Sequence, residues 1–450
     1  METFDIYKDI KKVHFVGIGG ISMSALAKLF FAQNIAVSGS DKCAGKMVSQ
    51  LQDLGITIYN KHSKTNITED IDLVVYSLAI KEDNPELKMA KKLNIPCIKR
   101  GEALGLIAKK YNNIIAISGM HGKTTTTAMV YHIFKFCGKN PTLHIGGEID
   151  EKNKNLIIGD SEFFITEACE YGDSFLSIKN AVSVINNIEK EHLDYFKNLK
   201  NIYRSFEKFC NQSKACFVNS SLKKKIATLP DYYVGKGGSI YATNLKKSGA
   251  GYSFDVYIKE NFYGKIKLKV PGKYNIQNSL SAIAIANYFG LEKDRVILAL
   301  NSFQNVKMRF ERVGYFAGNG IIFDYAHHPT EIKNVIEASK KLGEGKVCVY
   351  FQPHTFSRTK SLKNEFAKCF KGADSVFVLK TYKAREVVDK ENDEQSLAKI
   401  ISDNMGIKVG YGGMSKMLGD IKSRKNSGIM LFVGAGDMQN KVKKALFGAK

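Results

Sequence analysis

The chain has 450 residues, 44% hydrophobic and 25% charged; it is too long for one core, and two or three globular domains are expected. No run approaches the roughly 18 to 20 uninterrupted apolar residues of a membrane span, which argues against membrane insertion. The net charge of +23 favours anionic partners, yet the lysines lie scattered or in doublets such as Lys11-Lys12, Lys91-Lys92 and Lys340-Lys341, with no arginine-rich arm. That distribution reads as a solvated lysine surface and not a nucleic-acid groove, and small substrates carrying several phosphates would also benefit from the field. The eight cysteines show no CxxC pair and no zinc spacing, so they read as reduced thiols of a cytosolic protein. The start, METFDIYKDIKKVHFVGIGG, lacks the apolar core of a signal peptide, and a cytoplasmic location is expected.

In chain order, VHFVGIGG predicts a strand and turn, SMSALAKLFFAQN a helix and IAVSGSD a second strand. MVSQLQDLG and NPELKMAKKLN are helical stretches between the strand-like runs IDLVVYS and IPCIKR. This alternation predicts a parallel α/β sheet. A second unit begins at NIIAIS (113–118), followed by a glycine-bearing loop and a helix over about 124–137. FFITEACE, AVSVINNIE and ACFVNS continue it as strands. The alternating stretch from IYATNLKKSGAG to KIKLKV predicts antiparallel hairpins. After Phe310 a third α/β pattern follows, with strands GIIFDYA, KVCVYFQP, SVFVLKT, IKVGY and GIMLFVGAG.

Two turns carry chemistry. Gly17-Ile18-Gly19-Gly20-Ile21-Ser22 lies between a strand and a helix, where glycines let backbone N–H groups approach a pyrophosphate. Asp41 closes the next strand at the distance of a ribose-binding acid. Taken alone this pattern suggests a dinucleotide, and a nicotinamide-dependent enzyme is one rival; a tight turn with nothing bound is the other reading, since Ser22 stands where a third glycine belongs. Ser118-Gly119-Met120-His121-Gly122-Lys123-Thr124-Thr125 is sharper. It has the mechanics of a phosphate-binding loop: N–H groups cradle phosphates, Lys123 reaches their oxygens and Thr124 can ligate Mg²⁺. Ile117 occupies the usual first-glycine position, which marks a shortened variant. A non-catalytic nucleotide switch or an RNA-binding protein, resting on this loop and the net charge, is the second rival. Acidic clusters follow at two strand ends, TEACE (166–170) and NIEKEHLD (187–194). Carboxylates there suit Mg²⁺ beside a triphosphate, although Glu167, Glu189 and Asp194 read equally well as solvated helix-start acids. His192 is on chemistry alone a satisfied polar residue, because Mg²⁺ prefers oxygen.

Over nearly its whole length the chain resembles the Mur ligases. GMHGKTTTT is similar to the family's nucleotide loop, and EACE, NIEKEHLD, PGKYNIQN, VKMRFER, DYAHHPTE and FQPHTFSRT follow in the family's order. With GIGGISMS, the last two are similar to the member that adds L-alanine to UDP-N-acetylmuramate in peptidoglycan precursor synthesis; the muropeptide-recycling member shares HHPT and differs around FQPH. The resemblance implies three α/β domains: a Rossmann-like UDP-sugar domain (1–107), a P-loop ATPase domain (108–312) and a Rossmann-like amino-acid domain (313–450). It implies a bacterial, cytoplasmic monomer or weak dimer that uses ATP and Mg²⁺.

Residue by residue, the resemblance assigns the first turn to a UDP pyrophosphate, through Gly19, Gly20, Ile21, Ser22 and Asp41. ATP falls to Gly119, Met120, His121, Gly122, Lys123, Thr124 and Thr125, with Asn275 and Asn278 as further contacts. Tyr274 lies against the adenine, Arg309 at the γ-phosphate and Asp324 at the ribose. Thr124, Glu170 and His192 match metal positions; Lys123, Glu170, His192, Arg309 and His327 are the implied catalytic set. His327, His354 and Arg358 surround the incoming amino acid. Thr355 stands where some members have an arginine, which leaves Arg358 to hold the amino-acid carboxylate alone.

Overall fold

The computed structural model describes residues 10–43, 45–149, 154–384, 386–426 and 428–448; residues 1–9, part of the stretch read above for a signal peptide, lie outside them. The first strands are β1 (Lys12–Val16), β2 (Ala36–Ser40), β3 (Thr57–Tyr59), β4 (Leu73–Tyr76) and β5 (Cys97–Lys99). They form a parallel sheet of order β3-β2-β1-β4-β5. The order reverses between β1 and β4, and at such a switch point the carboxyl ends of the strands open into a ligand crevice. Residues 17–20 follow β1 directly there. The helix Ile21–Phe31 buries Met23, Leu26, Leu29 and Phe30, and Phe30 meets Phe15 of β1 edge to face at 5.7 Å. IPCIKR does not remain extended as expected. Glu102 reaches back to the Lys99 N–H at 2.7 Å, and this cap ends β5 and starts the helix Arg100–Ala108.

Glu86, in the first turn of the helix Pro85–Lys92 that links β4 to β5, is a buried charge. Its carboxylate accepts Ser40 Oγ at 2.7 Å, His62 Nδ1 at 2.9 Å and Asn66 Nδ2 at 2.6 Å. Burial alone pushes its pKa up, but the bonds from His14, Ser40 and Asn66 outweigh it and hold the group at about 2.

The next sheet comprises β6 (Asn113–Ser118), β7 (Thr142–Ile149), β8 (Lys154–Ile157), β9 (Phe163–Glu167), β10 (Val182–Ile185), β11 (Ala215–Asn219) and β12 (Tyr232–Val234). Its order here is β12-β11-β10-β6-β9-β7-β8, parallel except for β8. The β7–β8 hairpin was not foreseen in the sequence, where Gly146-Gly147 interrupts the apolar alternation. The helix after the glycine loop runs Lys123–Phe136, one residue earlier than predicted.

Contacts gather the chain into two compact units: Met1–Ile188 with Lys200–Ile240 and Ser281–Val296, and Glu189–Leu199 with Tyr241–Leu280 and Ile297–Lys450. The first contains both sheets above. In the second, β13 (Ile240–Ser248), β14 (Gly251–Ile258) and β15 (Asn261–Leu268) are the expected hairpins, β14 and β15 running antiparallel. It also holds β16 (Glu311–Phe316), β17 (Asn319–Asp324), β18 (Lys346–Phe351), β19 (Ser375–Leu379), β20 (Gly410–Gly412) and β21 (Gly428–Val433), in the order β16-β17-β21-β18-β19-β20. Ile322, Val349 and Leu431 pack on one face of this sheet, Phe323, Tyr350 and Phe432 on the other. Both faces are covered, so the strands read as continuous apolar runs. The edge strand β16 is antiparallel to β17 and bulged at Arg312/Gly314; the sequence reading had no strand there.

Within the first unit the helix Arg100–Ala108 lies against Tyr171–Ser177, and glycines make the approach possible. A Cβ on Gly105 would stand 2.2 Å from the Ser177 carbonyl oxygen. Elsewhere in a helix Gly→Ala stabilises by about 0.5–1 kcal/mol; Gly105→Ala is expected to destabilise by about 1–3 kcal/mol through overpacking. A denaturation midpoint equal to or above that of the parent chain would sink this reading of the contact.

Candidate functional site

The phosphate-type loop sits where β6 ends, between the ends of β9 and β10. Gly119 (φ +131°) and Gly122 (φ +78°) take backbone conformations that L side chains rarely adopt. A Cβ on Gly119 would also press within 3.0 Å of the Asn187 N. Asn187 braces the loop from outside, accepting the His121 N–H at 2.8 Å and donating to the His121 carbonyl at 2.9 Å. Asn186 donates to Thr126 Oγ1 at 3.0 Å. Lys123 opens the helix and turns back over the loop, donating to the carbonyls of Gly119 (2.5 Å) and Met120 (3.2 Å) and to both carboxylate oxygens of Glu170, at 3.1 and 3.0 Å. The Glu170 side chain is 1% exposed. Thr124 and Thr125 are buried in the first helical turn. Glu167 of the same acidic segment accepts the Gly146 N–H at 2.8 Å.

At the first turn, Gly17 and Ile18 donate to the Ser40 carbonyl. Asp41 accepts the Gly19 N–H at 2.9 Å and the Cys43 N–H at 3.0 Å, so both its oxygens shape the turn. Gly20 is the N-cap of the helix Ile21–Phe31, with no side-chain cap and no acid in the first turn. Ser22 Oγ lies 3.0 Å from His144 Nε2 and accepts Arg100 Nη1 at 3.1 Å. Asn155 Nδ2 donates to the Ile21 carbonyl at 2.5 Å and ties β8 to this helix.

The second unit carries the remaining predicted residues. Asp324 ends β17 and accepts the N–H groups of Phe310 and Ala326, each at 2.7 Å. Arg309 lies over the Tyr325 ring at 5.3 Å and 3.9 Å from Glu331. Asn275 donates to the Pro271 carbonyl at 2.6 Å, and Asn278 to Asn275 Oδ1 at 2.9 Å. The Tyr274 ring covers Gly272, where a Cβ would come within 2.3 Å of it. Its hydroxyl is pushed up by burial and by the nearby Asp324, against Arg309.

Arg358 donates to Glu191 at 3.1 Å and from Nη1 to His354 Nδ1 at 3.0 Å. His354 is pulled down to about 4 by burial and then by Arg358, so its ring is the acceptor. His327 faces acceptors from both nitrogens, the Tyr325 carbonyl at 3.0 Å from Nδ1 and Glu191 at 3.7 Å from Nε2. Burial acts to raise Glu191, but His327, His192 and Arg358 hold it well below the usual carboxylate range. Glu189 accepts Thr330 Oγ1 at 2.6 Å. His192 is the left-handed N-cap (φ 53°) of the short helix Leu193–Phe196, with Asp194 exposed in its first turn.

Three family models match in succession: "Mur ligase family, catalytic domain" over residues 12–112, "Mur ligase middle domain" over 117–286 and "Mur ligase, glutamate ligase domain" over 308–443. The chain belongs to the Mur ligase family. It is 42% identical to the UDP-N-acetylmuramate–L-alanine ligase of Clostridium acetobutylicum over 97% of this chain and 98% of that one. To the enzyme of the same name from Caldicellulosiruptor bescii it is 40% identical, over 95% and 97%. Among solved structures, the UDP-N-acetylmuramate-alanine ligase of Thermotoga maritima is similar with a TM-score of 0.83 at 30% identity, covering 96% of this chain and 97% of that chain. A murein peptide ligase from Psychrobacter arcticus shares the fold, with a TM-score of 0.71 at 21% identity over 98% and 99%. The expected three-domain α/β architecture is that of the Mur ligases.

For this Mur ligase, Lys123 and Glu170 come together as an ion pair, and His327, His354 and Arg358 share one cluster. Ser22 and Asp41 are engaged within the protein. Glu191, Asn187, Arg100 and His144 were not singled out from the sequence, although Glu191 and Asn187 lie inside the quoted NIEKEHLD segment. No described helix is long and apolar enough to cross a membrane.

Asp324 gives a measurable signature. Burial raises it to about 6, against the pull of Arg309 and the Ala326 and Phe310 N–H groups. An unfolded aspartate titrates near 3.9. With the folded value the higher one, its contribution to stability is full below about pH 4 and lost as pH rises through about 6. The stability of the parent chain relative to Asp324→Asn is therefore expected to fall by about 2 kcal/mol between pH 4 and pH 7. Urea titrations across that range check it; a pH-independent difference contradicts the assignment.

Proposed function

We propose that this chain joins L-alanine to the carboxylate of UDP-N-acetylmuramate, driven by ATP and through an acyl phosphate. The observation that carries the reading is the Lys123–Glu170 pair at the mouth of the glycine loop: a cation placed for phosphate oxygens beside a buried acid suited to a cation. The names of the relatives supply the substrates.

A carboxylate is a poor acyl donor, because its leaving group would be oxide. Phosphorylation replaces oxide with phosphate. The muramoyl carboxylate attacks the γ-phosphorus in line and ADP leaves. The alanine amine then attacks the acyl carbon and phosphate leaves. Lys123 and Arg309 neutralise charge that builds on the transferring oxygens. The loop N–H groups from Gly119 to Thr125 hold the β- and γ-phosphates. Tyr274 offers a flat face to the adenine, Asn275 and Asn278 shape its pocket, and Asp324 accepts a ribose hydroxyl. Arg358 binds the alanine carboxylate, with His327 and His354 positioning the amine. Residues 1–107 bind the UDP-sugar, 108–312 ATP and 313–450 the amino acid.

The Thr124 hydroxyl and Glu170 carboxylate are hard oxygen donors that fit Mg²⁺, and Glu170 is a buried acid whose charge a cation satisfies; His192 is the third ligand by resemblance. Bound Mg²⁺ would supply charge neutralisation at the phosphates.

The test is phosphate release with ATP, Mg²⁺ and UDP-N-acetylmuramate, each amino acid added in turn. Release that requires both the sugar nucleotide and alanine is expected. Preference for another amino acid overturns the acceptor; no release from folded, ATP-binding protein overturns the ligase. Lys123→Ala is expected to lower turnover by about three orders of magnitude. That variant also strips Glu170 of its partner, so Lys123→Arg is the companion: it keeps the pair and the stability, and still loses about two orders because the guanidinium cannot match a point ammonium.

A further inference from the structure

Hydrogen positions around Ser22 can be assigned one after another. Thr166 Oγ1 donates its proton to the Glu167 carbonyl at 3.0 Å. Its oxygen must therefore accept from His144 Nδ1, 2.8 Å away. That fixes the tautomer: Nδ1 carries hydrogen, and Nε2 offers a lone pair. Burial and the charge of Arg100 pull His144 down to about 3, so the ring is neutral, as this assignment requires. His144 Nε2 then accepts the hydroxyl hydrogen of Ser22 at 3.0 Å, and the Ser22 oxygen is left to accept from Arg100 at 3.1 Å. The chain of donors runs Arg100, Ser22, His144, Thr166, Glu167 carbonyl. Its consequence is that the Ser22 hydroxyl points its only proton into the protein and has none for a phosphate.

Arg100 is the opposite case. Among the described residues it makes that single hydrogen bond and no ion pair, so most of its five N–H groups are uncommitted on a half-buried side chain. It also sits at the first position of the helix Arg100–Ala108, where the helix dipole disfavours a cation. Through Ser22 it touches the first turn of the helix Ile21–Phe31, whose N-terminus has no side-chain cap and no acid. A cation that breaks the local rule and lacks an anion is placed for one that arrives.

We propose that Arg100 is the side chain that grips an oxyanion of the sugar nucleotide at this turn, in the role expected of Ser22, which instead orients it. The inference rests on reading the turn as the UDP-sugar site. The oxyanion is either the pyrophosphate or the lactyl carboxylate of the substrate.

Calorimetric titration of the full chain with UDP, UDP-N-acetylglucosamine and UDP-N-acetylmuramate separates these. Arg100→Ala is expected to weaken binding about ten- to a hundredfold, the size of a charge-assisted hydrogen bond, with KM for ATP unmoved. Loss with all three ligands assigns the pyrophosphate; loss with UDP-N-acetylmuramate alone assigns the carboxylate. Ser22→Ala is expected to cost less than Arg100→Ala, and Arg100→Lys to restore part of the affinity. Unchanged affinities in Arg100→Ala, or a larger loss in Ser22→Ala, overturn the proposal. Failure of the parent chain to bind any of the three overturns the reading of the turn itself.

Discussion

The central site depends on one desolvated ion pair. Glu170 is an acid with almost no contact with solvent, and an isolated carboxylate in that position would cost several kcal/mol. Lys123 meets it with two contacts near 3 Å and also holds the carbonyls of its own loop. The lysine can do this only because Gly119 and Gly122 curl the backbone beneath it and Asn187 clamps the outside of the curl. A pair of this kind adds little net stability. What it provides is position: it holds a cation and an anion at one point, each satisfied by the other.

The same arrangement of parts recurs at several of the turns that carry predicted residues. Gly17–Gly20 follow β1, Gly119–Gly122 follow β6, Ala168–Glu170 follow β9 and Asn186–Asn187 follow β10. In the second unit Tyr325–His328 follow β17 and Gln352–Thr355 follow β18. Each is the carboxyl end of a parallel strand, where backbone groups are no longer paired within the sheet and helix N-termini begin. Rigid strands buried on both faces supply the precision, and the short loops supply the chemistry.

Legibility in the sequence followed the distance between partners. Strands such as NIIAIS and GIMLFV were readable because burial on both faces makes a parallel strand an unbroken apolar run. Lys123, with its glycines and threonines, was readable because all of its loop is contiguous. The β7–β8 hairpin was not, since Gly146-Gly147 breaks the alternation that would mark it; β16 was not, because an edge strand with a bulge need be neither apolar nor periodic. Ser22 was identified by its place in a motif, but its hydroxyl is held by a histidine 122 residues away and an arginine 78 away. Glu191 stood in plain view between His192 and Lys190; nothing local tells it from its acidic neighbours until Arg358 and His327 close on it.

That cluster bears on how a carboxylate ligand would be received. Arg358 is the guanidinium that the resemblance assigns to the amino-acid carboxylate, and here its Nη2 already meets the Glu191 carboxylate, while its Nη1 is spent on His354. Thr355, at the position where some relatives carry a second arginine, contributes no charge and takes an unfavourable left-handed-side backbone angle, φ 67°. Under the proposed function, one arginine would serve both an internal carboxylate and an incoming one. Its planar fork has five donors, enough to share, but an added carboxylate would stand next to Glu191 and be repelled by it unless an ammonium lay between them. An amino acid supplies that ammonium on the atom adjacent to its carboxylate. On that reading the internal acid would favour a zwitterionic ligand over a simple carboxylic acid.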